Sequence, residues 1–400
     1  MSLEQRSNPD AVTDMGILQL PTELLLLILR DVDSIPAFIA LTHTSKRLRI
    51  LALPYLYRNV DVLSELLVNK HPILSFGALK RIKILKSLCR PEIAGLVTNI
   101  RITLSMVICN NHAYRKRIAV MDQGCHCDSL DNTVSSALQA AINLKSLDFF
   151  CFLHPSGGKD RHSWISNLQT RSLCSLTFSC ECGVDTHTPL FVTPALNSVE
   201  AVRFHSSSIL DRSRSVLKRK LEDPNVLPNL RTLYYEGTVI HYAIVASRPI
   251  RRIAIPGHSR RNGKIYELFT KKPGTLTHIA VEDLPGLAFV VSRSPSSFTN
   301  LRHIGMTHAP DLHNQTDLIK MMGPFQVLPH LSSIYVTLRV WILQPLLKLR
   351  HLHRNLRTVS CPAWSGCFIW HLKGDTWKRT QVDSFEAWDI IRDTRNYDKI

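Results

Sequence analysis

The residues of this chain best suited to hold a metal or to act as nucleophile or base are its 10 cysteines and 18 histidines. Their tightest grouping is Cys125-His126-Cys127 together with Cys180-Glu181-Cys182. Four thiolates from two such pairs would suit tetrahedral zinc, which takes deprotonated sulfur ligands. Structural zinc sites usually separate paired cysteines by about two to four residues. Here one residue separates each pair, so the spacing predicts ordinary loop thiols and no bound metal.

Other chemistry leaves no signature either. The chain has no glycine-rich phosphate loop, no Gly-x-Ser-x-Gly elbow and no His-Glu-x-x-His pair. Most histidines fall singly in loops or beside strands, where they are solvated or packed. The expectation is a non-catalytic chain without a cofactor. The cysteines are sparse and irregular, which predicts reduced thiols rather than a disulfide framework. No apolar run reaches the roughly 18 residues of a membrane span, and residues 1–15 lack the basic start and apolar core of a signal peptide. An intracellular protein, cytoplasmic or nuclear and without a membrane partner, is expected.

The net charge of +17 is unevenly placed. Residues 1–62 carry six Lys/Arg against seven Asp/Glu, so the surplus belongs to the remainder. Basic clusters occur at Lys80-Arg81-Ile82-Lys83, Arg115-Lys116-Arg117, Arg212 to Lys220 and Arg251-Arg252. They are scattered and lack interleaved aromatic residues, which favours acidic protein partners over nucleic acid. The run from Arg214 to Lys220 would also serve as a nuclear address.

Positioning of any interaction surface falls to two kinds of element. From Ile17 to Val62 apolar residues recur at helical spacing, and three short helices are expected. The first opens at Pro21, where a missing N–H costs nothing, with Glu23 suited to the helix dipole, and runs to about Val32. Asp33 or Ser34 caps a second, with Pro36 just inside it, reaching about Leu41. Thr44 or Ser45 caps a third that ends near Pro54. The first helix is apolar almost all round, from Leu24 to Leu29, more than so small a module can hide on its own.

This segment resembles the F-box family, in the fungal form whose box is followed by a leucine-rich-repeat-like body. The likeness rests on Leu20-Pro21-x-Glu23-Leu24-Leu25-x-x-Ile28, on Leu41-x-x-Thr44-Ser45-Lys46-Arg47-Leu48-Arg49, and on Leu53-Pro54-x-Leu56-Tyr57. The resemblance implies that the Leu-Pro pair and the apolar helix faces dock a Skp-family adaptor, which binds a cullin scaffold. Carried onto this sequence, the adaptor-binding residues are Leu20, Pro21, Leu24, Leu25, Ile28, Leu41 and Leu48. The alternative reading makes these helices a structural cap on a repeat-domain interaction module.

Beyond residue 90 one pattern recurs: an apolar residue, two variable ones, an apolar residue, one variable, and a third apolar residue. It appears at Val97-Ile100-Ile102, Leu144-Leu147-Phe149, Leu173-Leu176-Phe178, Val199-Val202-Phe204 and Leu230-Leu233-Tyr235. It returns at Ile250-Ile253-Ile255, Leu276-Ile279-Val281, Leu301-Ile304-Met306, Leu331-Ile334-Val336 and Leu356-Val359-Cys361. From Leu144 onward the spacings are 29, 26, 31, 20, 26, 25, 30 and 25 residues, near the roughly 20 to 29 of a leucine-rich repeat. Helix-like apolar segments lie between them at Val134 to Ile142, Ile240 to Ala246, Gly286 to Val291, Leu318 to Met322 and Leu343 to Leu352. The usual turn Asn or Cys is replaced by Phe152, Glu181, Ser207 and Thr238, so the repeats are diverged. An inserted loop or a hidden repeat is expected around Asn110 to Asn132. Strand variable positions such as Lys145, Arg231, Thr232, Arg302 and Ser332 would face a partner or solvent.

The fold class expected is therefore α/β, a small all-α module followed by an irregular solenoid of short parallel strands with outer helices. Residues 1–15 read as a disordered N-terminus, 16–62 as the helical module, 63–95 as a helical linker and 96–362 as the solenoid. Residues 363–400, with Trp364, Trp370, Trp377 and Trp388, read as a C-terminal cap containing two strands around Gly374-Asp375. The function expected is target recognition for a cullin-based ubiquitin ligase, by a chain that binds and does not catalyse.

Overall fold

The computed structural model describes residues 16–32, 34–67, 83–107, 127–152, 168–180, 193–205, 223–236, 242–255, 269–270, 274–306, 315–336, 343–363 and 366–382. Three helices come first: α1 (Thr22–Arg30), α2 (Ile35–Thr44) and α3 (Lys46–Arg58). Ser34 caps α2 by accepting from the Ala37 amide at 3.4 Å, and Ser45 caps α3 by accepting from the Leu48 amide at 3.1 Å. Each replaces a bond that a first-turn amide cannot find inside its own helix. Leu29, Phe38 and Ala52 form a small core with Val32, Leu41, Leu51, Tyr55 and Leu56 around them.

The third helix does not stop at Pro54, as the sequence pattern implies, but continues to Arg58. Pro54 leaves the Ile50 carbonyl without an amide partner. The turn beyond it brings Tyr55 and Leu56 onto the core, and the Tyr55 ring stacks on Phe38 at 5.6 Å. That packing outweighs the lost bond.

Arg58 leads directly into a sheet of thirteen strands in sequence order: β1 (Asn59–Leu67), β2 (Asn99–Val107), β3 (Ser146–Phe152), β4 (Ser175–Cys180), β5 (Ala201–His205), β6 (Thr232–Glu236), β7 (Arg252–Ile255), β8 (His278–Val281), β9 (His303–Met306), β10 (Ser333–Tyr335), β11 (Thr358–Ala363), β12 (Gly366–Lys373) and β13 (Thr376–Val382). Strands β1 to β11 are parallel, and β12 and β13 return antiparallel. The architecture is a mixed α/β, solenoid-like fold.

Register follows the apolar pattern. The middle apolar positions lie side by side from Ile100 through Leu147, Leu176, Val202, Leu233, Ile253, Ile279, Ile304 and Ile334 to Val359. All ten are buried. A one-residue slip would turn every one of them to the opposite face, so the register is fixed by burial. Phe149 stacks on Phe178 at 5.6 Å, and Phe204 meets Tyr235 edge-on at 6.5 Å.

The sequence pattern overlooks one repeat. Tyr57-x-x-Val60-x-Val62 has the same spacing, and Val60 and Val62 pair with Ile100 and Ile102. The strand therefore begins inside the segment assigned to the helical module, and residues 63–67 of the expected helical linker are strand. Residues 83–88 of that linker are helical, followed by α4 (Pro91–Ala94).

Later connections carry α5 (Cys127–Ala140), α6 (Tyr242–Ser247), α7 (Leu284–Arg293), α8 (Gln315–Met322) and α9 (Leu343–Leu352). Asp283 caps α7 by accepting from the Gly286 amide at 2.9 Å. A Cβ on Gly286 would lie 2.1 Å from that carboxylate, which would have to shift to admit a side chain. On the opposite face of the sheet Ala201, Tyr234, Ala254 and Ala280 form a separate cluster.

Asparagine does return in the repeats, at a different place from the one the repeat consensus uses. Asn143, Asn229, Asn300 and Asn355 each precede the first apolar residue of a repeat and donate to a carbonyl in the preceding one, at Gly95, Asn197, Gly274 and Pro329. The four stand in the sequence as Asn-Leu followed by Lys or Arg. Phe152 ends β3, whereas Glu181, Ser207 and Thr238 lie outside the described residues.

Candidate functional site

Apolar side chains left in solvent concentrate on the helical module. Of the twelve large hydrophobic residues exposed among the described residues, nine fall between Ile17 and Ile50. On α1, Leu24, Leu27 and Ile28 share a face by their spacing of three and four, with Leu27 56% exposed. Ile35 and Ile39 share a face of α2, and Ile50 of α3 is 61% exposed. Isolated exposed leucines are ordinary on a protein surface, but a concentration of this kind marks a surface made to be covered.

The residues expected at the adaptor surface divide by burial. Leu24 and Ile28 are exposed, as is Pro21, while Leu20 and Leu41 are half-buried. Leu25 of α1 and Leu48 of α3 are buried, only 1% and 2% exposed. Periodicity alone could not separate them, since α1 is leucine or isoleucine at six consecutive positions.

A residue outside that set holds the Leu-Pro segment in place. The Arg47 guanidinium donates to the carbonyls of Leu18 at 2.7 Å and Leu20 at 2.9 Å, and to the Thr22 hydroxyl at 3.0 Å. A planar fork with several donors suits three acceptors spread over one turn, which a lysine could not reach together. Ile17–Gln19, a 3-10 turn, and the start of α1 are thereby tied to α3.

Among the described residues no group of three His, Cys, Asp or Glu side chains could hold a metal ion. Of the two close cysteine pairs, Cys125, His126, Glu181 and Cys182 lie outside the described residues, as do Lys80 to Ile82, Arg115 to Arg117 and Arg212 to Lys220. Burial, and then the neighbouring Cys367, push the Cys361 thiol up to about 12, and burial raises Cys89, so neither is an activated nucleophile. No helix among the described residues is long and apolar enough to cross a membrane.

The repeat body presents its charges differently. Of the strand positions singled out by the sequence, Lys145, Arg231 and Arg302 are exposed, Ser332 is half-buried, and Thr232 is buried. Trp370 and Trp377 of the β12–β13 hairpin pack against the main core, whereas Trp364 and Trp388 lie outside the described residues.

Compared with known proteins, the chain matches no family model and no curated sequence. Among solved structures, a protein from Bacteroides fragilis is similar at 10% identity and a TM-score of 0.34, covering 76% of this chain and 72% of that one. A likeness at that score carries no argument about fold or function.

Proposed function

We propose that this chain is the substrate-recognition subunit of a cullin-type ubiquitin ligase. Its helical module binds a Skp-family adaptor through Pro21, Leu24, Leu27 and Ile28, and its repeat body binds the protein to be marked. The observation that carries this reading is the concentration of exposed apolar side chains on α1 to α3, beside a Leu-Pro segment held by Arg47. The chain positions and does not catalyse. Holding a target lysine near an activated ubiquitin replaces a bimolecular encounter with a nearly intramolecular one.

One observation favours a second reading, in which the module is only a cap. The last residue of α3, Arg58, adjoins β1, and its carbonyl accepts from the Thr98 amide at 3.1 Å, so module and sheet are continuous. A pure cap, however, would turn its apolar side chains inward.

Co-purification of the chain with a Skp-family adaptor decides between them. Wild type is expected to retain the adaptor, and Leu24→Asp with Ile28→Asp to lose it while keeping its circular dichroism, since both side chains are exposed. A Leu20→Ala, Pro21→Ala pair should weaken binding in the same direction. Failure of wild type to bind would leave the cap reading standing.

A further inference from the structure

Along the N-terminal edge of the parallel strands, each repeat contributes the side chain that follows its first apolar residue. Backbone bonds hold these positions in a row: the Arg251 amide donates to the Arg231 carbonyl at 2.8 Å, Thr277 to Arg251 at 2.7 Å, and Arg302 to Thr277 at 2.8 Å. Adjacent strands lie about 4.8 Å apart, so Arg231 and Arg251 are immediate neighbours and Arg302 stands roughly 10 Å further on.

A groove of about 410 Å³ runs along this edge from β4 to β9, with Arg231, Arg251, Arg252, His278 and Arg302 on its walls and Glu200 beside them at β5. Among the described residues that line it are four arginines and one carboxylate. Arg231, Arg251 and Arg302 are exposed, and among the described residues none of the three makes an ion pair. Like charges at this spacing repel one another, and an anion bound between them removes that repulsion. The wall also holds Ser175, itself only 8% exposed, whose hydroxyl has no hydrogen-bond partner among the described residues. A buried hydroxyl without a partner gains a bond when an acceptor enters.

The dimensions and chemistry select the kind of anion. Within the groove the arginines of this row stand on β6, β7 and β9, with Glu200 before them and Thr277 between them, so they suit separate charges rather than a continuous phosphate backbone. Among the described residues no Phe, Tyr or Trp lines the groove to stack a base. The planar arginine fork matches a carboxylate in two-pronged fashion. In an extended peptide, side chains of one face recur about every 7 Å, a spacing that flexible arginine arms can meet.

We infer that this groove takes a carboxylate-rich, extended segment of the target protein. The inference rests on the receptor reading of the repeat body and names the chemistry its target presents.

The test is fluorescence anisotropy of the full chain with a labelled peptide rich in Asp and Glu, for wild type, for Arg251→Glu with Arg302→Glu, and for Lys320→Glu with Lys348→Glu. The second pair makes the same charge change at exposed positions on outer helices. The groove pair should lose more than about tenfold in affinity and the control pair less than about threefold, with unchanged melting temperatures. No binding by wild type, equal loss in both pairs, or preference for a single-stranded DNA of equal charge would overturn the inference. Adaptor co-purification on the same variants separates the two readings, because it depends on Leu24 and Ile28 and not on the groove.

Discussion

His303 shows how a single residue ties the repeats to pH. Its ring is buried, Nδ1 is hydrogen-bonded to the Ser333 hydroxyl at 2.5 Å, and the His278 ring stacks on it at 5.6 Å. Burial first, and then His278, hold its pKa well below the ordinary 6.5. Burial also lowers His353 and His371. The fold therefore favours neutral rings, and below 6.5 the unfolded chain takes up protons that the folded chain refuses. Stability is full above that pH and falls as pH drops toward the folded pKa. The urea midpoint is expected to fall as pH is lowered from 7.5 to about 5.5, and His303→Gln, which does not titrate, to fall less steeply. Equal slopes would show that His303 does not carry the effect. The sequence displays this histidine but not its burial, since the pattern gives no reason why His303 is covered and His330 is not. The same blindness explains Leu25 and Leu48, where the sequence supplies apolar character and only the packing of α1 and α3 supplies direction.

Elements were legible wherever burial and periodicity agreed. The ten apolar triplets pair in register as strands or strand entries, and α9 runs from Leu343 to Leu352 as its pattern suggests. Pro54 misleads because propensity describes a helix in isolation, whereas Tyr55 and Leu56 pull the last turn of α3 onto a core. β1 was hidden because Tyr57-x-x-Val60-x-Val62 overlaps the helical segment that claimed those residues. The asparagine ladder was hidden because the eye goes to the consensus position, although Asn-Leu-Lys/Arg recurs openly before β3, β6, β9 and β11. Each of these amides closes one repeat onto the loop of its predecessor. Asn229→Ala and Asn300→Ala should each lower stability by about 0.5–1 kcal/mol in urea unfolding, at the modest end because the bonds are solvent-exposed. The two lie three strands apart, so their effects should add. A negligible loss in both would mean that the ladder reports register without supporting it.

At the scale of the whole molecule, a parallel sheet in sequence order has two ends and no closure, and both ends must be managed. At the first, β1 is entered from α3. At the second, the chain reverses: β12 pairs with β11 across Val359 and Trp370, and β13 pairs with β12 across Trp370 and Arg379. The Arg379 guanidinium lies over the rings of Phe368 and Trp370 at 5.1 and 5.9 Å. The turn between the strands holds Gly374 at φ +63°, a conformation glycine adopts without strain. β13 is polar and basic at its exposed positions, with Lys378 and Arg379 on its two faces, which discourages another strand from adding to it. The hairpin thus replaces an apolar edge with a charged one. A chain ending after Ala363 would present β11 unpaired, with Val359 uncovered beside the half-buried Cys361. Light scattering after size exclusion is expected to find that chain in self-associated form and the full chain not, with a lower melting temperature for the shortened one. A shortened chain of the same size distribution and stability would mean that the parallel edge needs no cover, and that the hairpin's charged strand serves a partner instead.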